Sequence, residues 1–412
     1  MTNGGMVIIG GGKAGARACV ALRENGWGGA ITLVSNEHHA PYDRPPLSKS
    51  VITDEGEQVP PFLTDEDLLA SIKVTFIKGV AARSIDRTAK TVTLENGDSI
   101  AYEKLLLATG ALPRRLTIKG SDSPRLLYLR SFEDSLAIRE RMDQGGHAII
   151  IGGGFIGLEI AASAKKRGLD VTIIEGLPRV LSRGVPEDIA KIVTARHEAE
   201  GTKVLCGVGI DGFSDGDSFV DVILKDGRSI RGDFAVIGIG AAPVTGLAEA
   251  AGLTIDNGIA VDDTLQTSDP DIFAAGDCAS FPLAVYNGRR VRLESWRSAQ
   301  DHGALAAANM LGRNEKLANV PWFWSDQYDL TLQIAGLQDE ATHSVRRDLG
   351  NGGFIQFHLA EDGRLVAASG IGLGNAVAKD IRLAEMLIGK GAKPAPEILI
   401  DPSVNLKSLL KG

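Results

Sequence analysis

Residues 7–15 read VIIGGGKAG and residues 148–157 read AIIIGGGFIG. In the first, Gly10, Gly12 and Gly15 fit the pattern G-x-G-x-x-G, with Ala14 inside it. In the second, Gly152, Gly154 and Gly157 repeat it around Phe155 and Ile156. A lone pattern of this kind is a weak signal, because glycine-rich turns are common. Here each copy follows a run of β-branched residues and opens a helical stretch, ACVALRENG at 18–26 and EIAASAKKRG at 159–168. Strand, turn and helix in that order are what a dinucleotide requires: a tight turn, close backbone approach to the pyrophosphate, and a helix N-terminus facing the anion. Each copy is also followed by an acid at the end of the next strand, Glu37 closing AITLVSNE and Glu175 closing DVTIIE. That is the place of a ribose-binding carboxylate. Two complete copies predict a chain that holds two dinucleotides.

Composition sets the frame. The 412 residues suit two or three domains, and 44% hydrophobic with 23% charged residues is ordinary for a globular protein. No apolar run reaches the ~18 residues of a membrane span. MTNGG leads directly into the first strand with no room for a signal peptide. Cys19, Cys206 and Cys278 are widely spaced and odd in number, so neither a disulfide framework nor a zinc site is expected, and a reducing cytoplasm is. A net charge of −8 gives no reason to expect nucleic acid or an anionic membrane as partner. No metal is expected.

The succession strand, glycine turn, helix, strand, given twice, predicts an α/β fold of two Rossmann-like domains. LLLATGALPRRL at 105–116 and FAVIGIGAAPVTG at 234–246 read as paired exits from the two domains, with Pro113 and Pro243 marking crossovers. The first nucleotide domain is thus expected at 1–112 and 243–321, and the second, inserted, at 113–242. From 322 to 412 the pattern of strands followed by a helix predicts a C-terminal α+β domain.

Four further segments carry chemistry. IFAAGDCAS places Gly276 and Asp277 after a strand, at the expected start of a helix, where Asp277 is either an N-cap or a ligand-binding group. YDRPPLSK at 42–49 has no cysteine, and VPWFWSDQY at 320–328 has two tryptophans in nine residues. LESWRSAQDHGALAA lies at 293–307 in the first domain's return segment. Together these resemble the NADH-dependent ferredoxin reductases of bacterial oxygenase systems, a branch of the two-dinucleotide, glutathione-reductase-like flavoproteins. That branch includes putidaredoxin reductase and the reductase components of biphenyl-type dioxygenases. The resemblance extends along almost the whole chain. Trp296 departs from putidaredoxin reductase, which has a smaller residue there.

The resemblance implies FAD at the first turn and NADH at the second. It carries FAD contacts to Gly10, Gly12, Ala14, Gly15, Glu37, Arg44, Pro45, Lys49, Val80, Thr109, Gly110, Arg130, Gly276, Asp277, Ser295 and Trp296, with Asp277 on the ribityl chain and Val80 at the adenine. NADH contacts fall on Gly152, Gly154, Phe155, Ile156, Gly157, Glu159, Glu175, Arg183 and Gly240. Lys49, Glu159 and Trp324 are the catalytic candidates. Lys49 is implied to stabilise the charge that reduction puts on the flavin, with Glu159 as its partner beside the nicotinamide. Trp324 is implied to line the side from which electrons leave, whereas Trp322 reads as packing. A plain surface lysine, and an acid favourable to the helix dipole, are the competing readings.

Glu175 favours NADH, because a carboxylate accepts from both ribose hydroxyls and repels the phosphate of NADPH. Arg179 and Arg183 nearby pull the other way. In YNGRRVRLESWR at 286–297, Asn287-Gly288 predicts a hairpin turn, and Arg289, Arg290 and Arg297 are a candidate docking patch for an acidic [2Fe-2S] ferredoxin that would feed an oxygenase. The missing cysteine pair argues against a thiol relay. A rubredoxin, a quinone, oxygen or a radical remain as alternative acceptors, and a redox-sensing binding protein as a different class. Monomer and homodimer are both open.

Overall fold

The structure is a computed structural model that describes residues 4–350 and 352–411. The outermost positions of the expected first and last domains, 1–3 and 412, lie outside the described residues. The chain divides into two compact units: residues 1–43, 60–112 and 242–321 form one, and 44–59, 113–241 and 322–412 the other.

In the first unit, strand Gly5–Ile9 sits between parallel neighbours Ile31–Val34 and Ser99–Leu107, with Val74–Ile77 beyond Ile31–Val34. Ile272–Ala274 adds a further parallel strand to Ser99–Leu107, and an antiparallel pair, Thr91–Leu94 and Ala82–Asp86, extends the sheet. The central strands are buried on both faces, which is why they read as unbroken apolar runs. Helix Lys13–Glu24 packs against helix Trp296–Met310, closely enough that a Cβ on Gly303 would lie 2.3 Å from the Ala14 carbonyl oxygen.

In the second unit, a five-stranded parallel sheet runs Lys203–Cys206, Asp170–Glu175, His147–Ile151, Phe234–Ile237, Leu126–Tyr128. A three-stranded antiparallel sheet of Ile210–Asp215, Val220–Leu224 and Ser229–Gly232 accompanies it. The C-terminal part is a five-stranded antiparallel sheet with Leu330–Gly336 and Leu365–Leu373 at its middle, covered by helix Ala378–Gly389. Its apolar residues Leu332, Ile334, Phe354 and Ile371 join one core with Leu158, Ile160 and Ile189 of the nucleotide-binding part.

Two sequence expectations differ from this arrangement. Residues 44–59, expected in the first nucleotide domain, pack within the second unit. The cause is a set of bonds onto their backbone. Arg139 donates to the carbonyls of Val51, Ile52 and Asp54, Arg167 to Ile52, Ser163 to Ser48, and Ser135 to Leu47. The second difference is at Gly276–Cys278, a single 3-10 turn that leads into strand Ala279–Leu283 rather than into a helix. Gly276 has φ of +77°, and the mostly buried segment that follows is a strand paired antiparallel with Arg289–Val291.

Candidate active site

Both glycine turns are built alike. Gly10 has φ of +118° and its added Cβ would lie 2.1 Å from the Ala108 carbonyl oxygen; Gly152 has φ of +106° and would meet the Gly238 carbonyl oxygen at 2.3 Å. Either turn therefore tolerates only glycine. Gly15 and Gly157 bring the helix down onto the turn, their added Cβ atoms falling 2.0 and 2.1 Å from the Gly10 and Gly152 oxygens. By contrast Gly12 and Gly154, the N-caps of helices Lys13–Glu24 and Phe155–Lys166, face open space, and neither helix has a side-chain cap. Uncapped N–H groups beside open space are what a pyrophosphate fits. The residues present suit one dinucleotide at each turn.

Around the first turn, Glu37 accepts a bond from the Tyr42 hydroxyl, and its N–H donates to Ser35 Oγ at 3.2 Å. Val80 is half-buried, and its N–H donates to the Ser35 carbonyl at 3.1 Å. Thr109 Oγ1 donates to the Val244 carbonyl at 2.7 Å, and Gly110 has φ of +72°. Ser295 caps the helix that Trp296 begins. The Trp296 indole donates to Asp43 Oδ1 at 2.6 Å, and Lys13 Nζ lies 3.8 Å above its ring. Burial holds the Lys13 ammonium below its ordinary pKa, and Asp43 works against that shift. The N–H of Gly276, which precedes Asp277, donates to Nδ1 of the fully buried His302 at 3.3 Å, and Phe281 packs edge-on to that imidazole.

In the second unit the sequence candidates Lys49 and Glu159 come together. Lys49 Nζ is 2.8 Å from Glu159 Oε2, and the Ser48 hydroxyl donates to the same oxygen at 2.6 Å. Glu159 Oε1 takes the Ser325 hydroxyl at 2.6 Å. Only 5% of Glu159 is exposed, and it lies beyond the first turn of its helix, so a helix-dipole reading has little to support it. Strand Trp322–Gln327 explains how Ser325 arrives. Alternate side chains leave opposite faces, so Phe323, Ser325 and Gln327 turn toward Phe155, Glu159 and His197. Trp322 and Trp324 share the other face, stacked at 5.3 Å, with the Trp324 indole donating to Asp326 at 3.1 Å. Arg44 donates to the Arg130 carbonyl from within the same unit, and Pro45 begins the 3-10 turn that carries Ser48.

Glu175 is held by two backbone donors, Gly153 N–H on Oε2 and Leu177 N–H on Oε1, each at 2.7 Å. Arg179 is committed to carbonyls of its own loop, those of Val180, Leu181 and Val185, which removes it as a phosphate ligand. Arg183 and Ile156 are exposed, Phe155 packs 5.0 Å from Phe323, and Gly240 has φ of +100°. In the expected docking patch the hairpin forms, with Asn287 and Gly288 both at positive φ. Arg290, however, folds back: it donates to the Val261 and Ser280 carbonyls and lies 3.6 Å from Asp256. Arg289 is exposed and Arg297 half-buried. Ser48, Ser325, Lys13, Asp43 and His302 were not singled out in the sequence. Of these only Ser325 had a signal, its position on the strand face opposite the tryptophans.

Residues 5–303 match the family model described as pyridine nucleotide-disulphide oxidoreductase, and residues 322–410 the one described as reductase C-terminal. The chain belongs to the pyridine nucleotide-disulphide oxidoreductases. It is an oxidoreductase of the kind that binds FAD and NAD(H), with two Rossmann-like parts and a C-terminal sheet domain. The ferredoxin–NAD(+) reductase component of the anthranilate 1,2-dioxygenase system from Burkholderia cepacia is 39% identical, over 98% of each chain. A rubredoxin–NAD(+) reductase from Pseudomonas putida is 39% identical over 80% of this chain and 86% of its own. The crystal structure of the ferredoxin reductase for the CYP199A2 system of Rhodopseudomonas palustris superposes with a TM-score of 0.93 at 36% identity, covering 98% of this chain and 99% of that one. No helix of the described residues is long and apolar enough to cross a membrane.

Burial holds the His302 imidazole down at about 4. Unfolded, it titrates near ~6.5, so between these values the unfolded state binds a proton that the native state does not, and stability falls as pH is lowered. At pH 5 the loss attributable to His302 is about 2 kcal/mol. Urea unfolding at pH 7 and pH 5 measures it, and His302→Asn, which keeps an acceptor for the Gly276 N–H, is expected to shrink the difference between the two pH values.

Proposed function

We propose that this pyridine nucleotide-disulphide oxidoreductase takes a hydride from NADH and delivers electrons, through FAD, to a small [2Fe-2S] ferredoxin that feeds an oxygenase. What supports this most is the supply of Ser325, from the tryptophan-rich strand that marks the ferredoxin-reductase branch, to the buried carboxylate of Glu159. The three cysteines support it as well. All are free, Cys19 and Cys278 are fully buried, and burial pushes the Cys19 thiol up to about 12. Such thiols are inert rather than poised for exchange. We place the protein in the cytoplasm, where free thiols persist.

FAD, when bound, accepts two electrons as hydride and releases them singly to a one-electron acceptor. The first turn and Asp277 would hold it, with Thr109, Gly110, Val80, Ser295 and Trp296 around it. Lys49 would supply positive charge to the reduced ring, and Glu159 holds the Lys49 ammonium in place. The second turn would hold the NADH pyrophosphate, and Glu175 the adenine ribose. Trp324 serves the electron exit. We assign docking of the ferredoxin to Arg289, Arg290 and Arg297, of which Arg290 also donates to the Val261 and Ser280 carbonyls.

Glu175→Ala removes charge-assisted bonds to the ribose worth roughly 1.5–3 kcal/mol. KM for NADH is expected to rise about tenfold or more while that for NADPH falls, because the repulsion of its phosphate is removed. Steady-state kinetics with both coenzymes measures the ratio.

The rubredoxin reductase relative keeps a rubredoxin as the second reading. NADH oxidation followed with a panel of purified [2Fe-2S] ferredoxins and rubredoxins decides between them. A ferredoxin is expected to give the highest kcat/KM, declining with added salt as docking charges are screened. Preference for a rubredoxin, or equal turnover with a quinone alone, would remove the ferredoxin assignment.

A further inference from the structure

Glu159 is the end of a longer hydrogen-bonded chain. Ser325 Oγ, which donates to Glu159 Oε1, accepts from Gln327 Nε2 at 3.2 Å. Gln327 Oε1 faces His197 Nε2 at 2.9 Å, and His197 Nδ1 faces the Tyr328 hydroxyl at 3.4 Å. Glu159, Ser325, Gln327 and His197 are all at least nine-tenths buried, and Tyr328 is half-buried. The His197 and Tyr328 rings also pack edge to face at 5.0 Å.

The carboxylate fixes the sense of every bond. Paired with an ammonium, it only accepts, so the Ser325 hydroxyl must give it its hydrogen. Ser325 Oγ then has only lone pairs left, which Gln327 fills with an amide N–H. That turns the Gln327 oxygen toward the imidazole, so His197 Nε2 carries the proton and Nδ1 is the acceptor for Tyr328. Burial disfavours the charged imidazole and keeps it neutral, as this tautomer requires. All four donors therefore point toward Glu159.

We propose that Gln327 and His197 are positioning residues for Glu159, locking the Ser325 hydroxyl on Oε1 so that Oε2 stays turned to Lys49 and Ser48. This rests on the catalytic role proposed above for the Lys49–Glu159 pair. An amide in the middle of the chain passes no proton without becoming its imidic tautomer, so the chain orients and polarises rather than conducts. Bonds polarised in one sense reinforce one another. The charged groups at the two ends are Lys49, on Glu159, and Arg196, which lies 4.8 Å over the Tyr328 ring and is tied to Asp329 and Glu200.

The first test is 15N NMR of the imidazoles in selectively labelled wild-type holoprotein. A neutral His197 protonated at Nε2 is expected at pH 7, and in Gln327→Leu the Nε2 resonance moves. A neutral His197 protonated at Nδ1 would overturn the proposal. The second is the rate of flavin reduction by NADH in anaerobic stopped flow. In His197→Phe the limiting rate is expected to fall severalfold with KM for NADH little changed, and His197→Gln, which keeps a donor toward Gln327, recovers most of the rate. A His197→Phe protein that binds FAD normally and is reduced as fast as the wild type would overturn the proposal. Glu159→Gln, run in parallel, separates the two claims. If it leaves flavin reduction unchanged, the catalytic role of Glu159 fails, while the NMR result still judges the chain of bonds.

Discussion

The Lys49–Glu159 pair is the interaction on which the second unit's buried polar cluster depends. A carboxylate that is 95% buried loses hydration worth several kcal/mol, and one ion pair does not reliably restore it. Here three donors share the work: Lys49 Nζ and Ser48 Oγ on Oε2, Ser325 Oγ on Oε1. The donors come from the 44–59 segment and strand Trp322–Gln327, and the carboxylate from helix Phe155–Lys166. The pair therefore ties together parts that sequence order keeps far apart. It also explains why the bonds onto the backbone of residues 47–54 matter: Ser135, Ser163, Arg139 and Arg167 hold carbonyls on either side of Lys49 and leave the Ser48 and Lys49 side chains to Glu159.

The two dinucleotide turns show how one local solution is used twice. In each, a glycine at positive φ passes under a neighbouring strand, a second lets the helix descend onto the turn, and a third leaves the helix N-terminus open. What distinguishes the copies lies outside the glycines. The first has Lys13, Trp296 and Asp43 grouped at its helix start. The second has Glu175 fixed by Gly153 and Leu177, so that the carboxylate is oriented before any ribose arrives. Preorganisation of this kind spares ordering cost on binding.

The sequence made legible what depends on local pattern: the two turns, the parallel strands behind them, the C-terminal sheet and the pairing of Lys49 with Glu159 through family resemblance. It did not show what depends on long-range bonds. Residues 44–59 look like part of the first nucleotide domain because they follow its second strand, and only the distant Arg139 and Arg167 carry them into the other unit. Gly276 looked like a helix start because Gly-Asp is a common cap, yet the next five residues take the sheet. Ser48 and Ser325 were invisible for a simpler reason. A serine is unremarkable in sequence, and only a buried carboxylate 111 or 166 positions away gives it a function. Arg290 is a different case, a charge in a basic run whose guanidinium also reaches the Val261 and Ser280 carbonyls of other segments.

The central claim is that Lys49 and Glu159 act as one unit in the reaction with NADH. A double-mutant cycle on the rate of flavin reduction, in anaerobic stopped flow, tests it most directly. Lys49→Met and Glu159→Gln are each expected to slow reduction by about tenfold or more, and the double variant no further than the slower single one. Effects that multiply in the double variant, or a Glu159→Gln protein as fast as the wild type, would contradict the account.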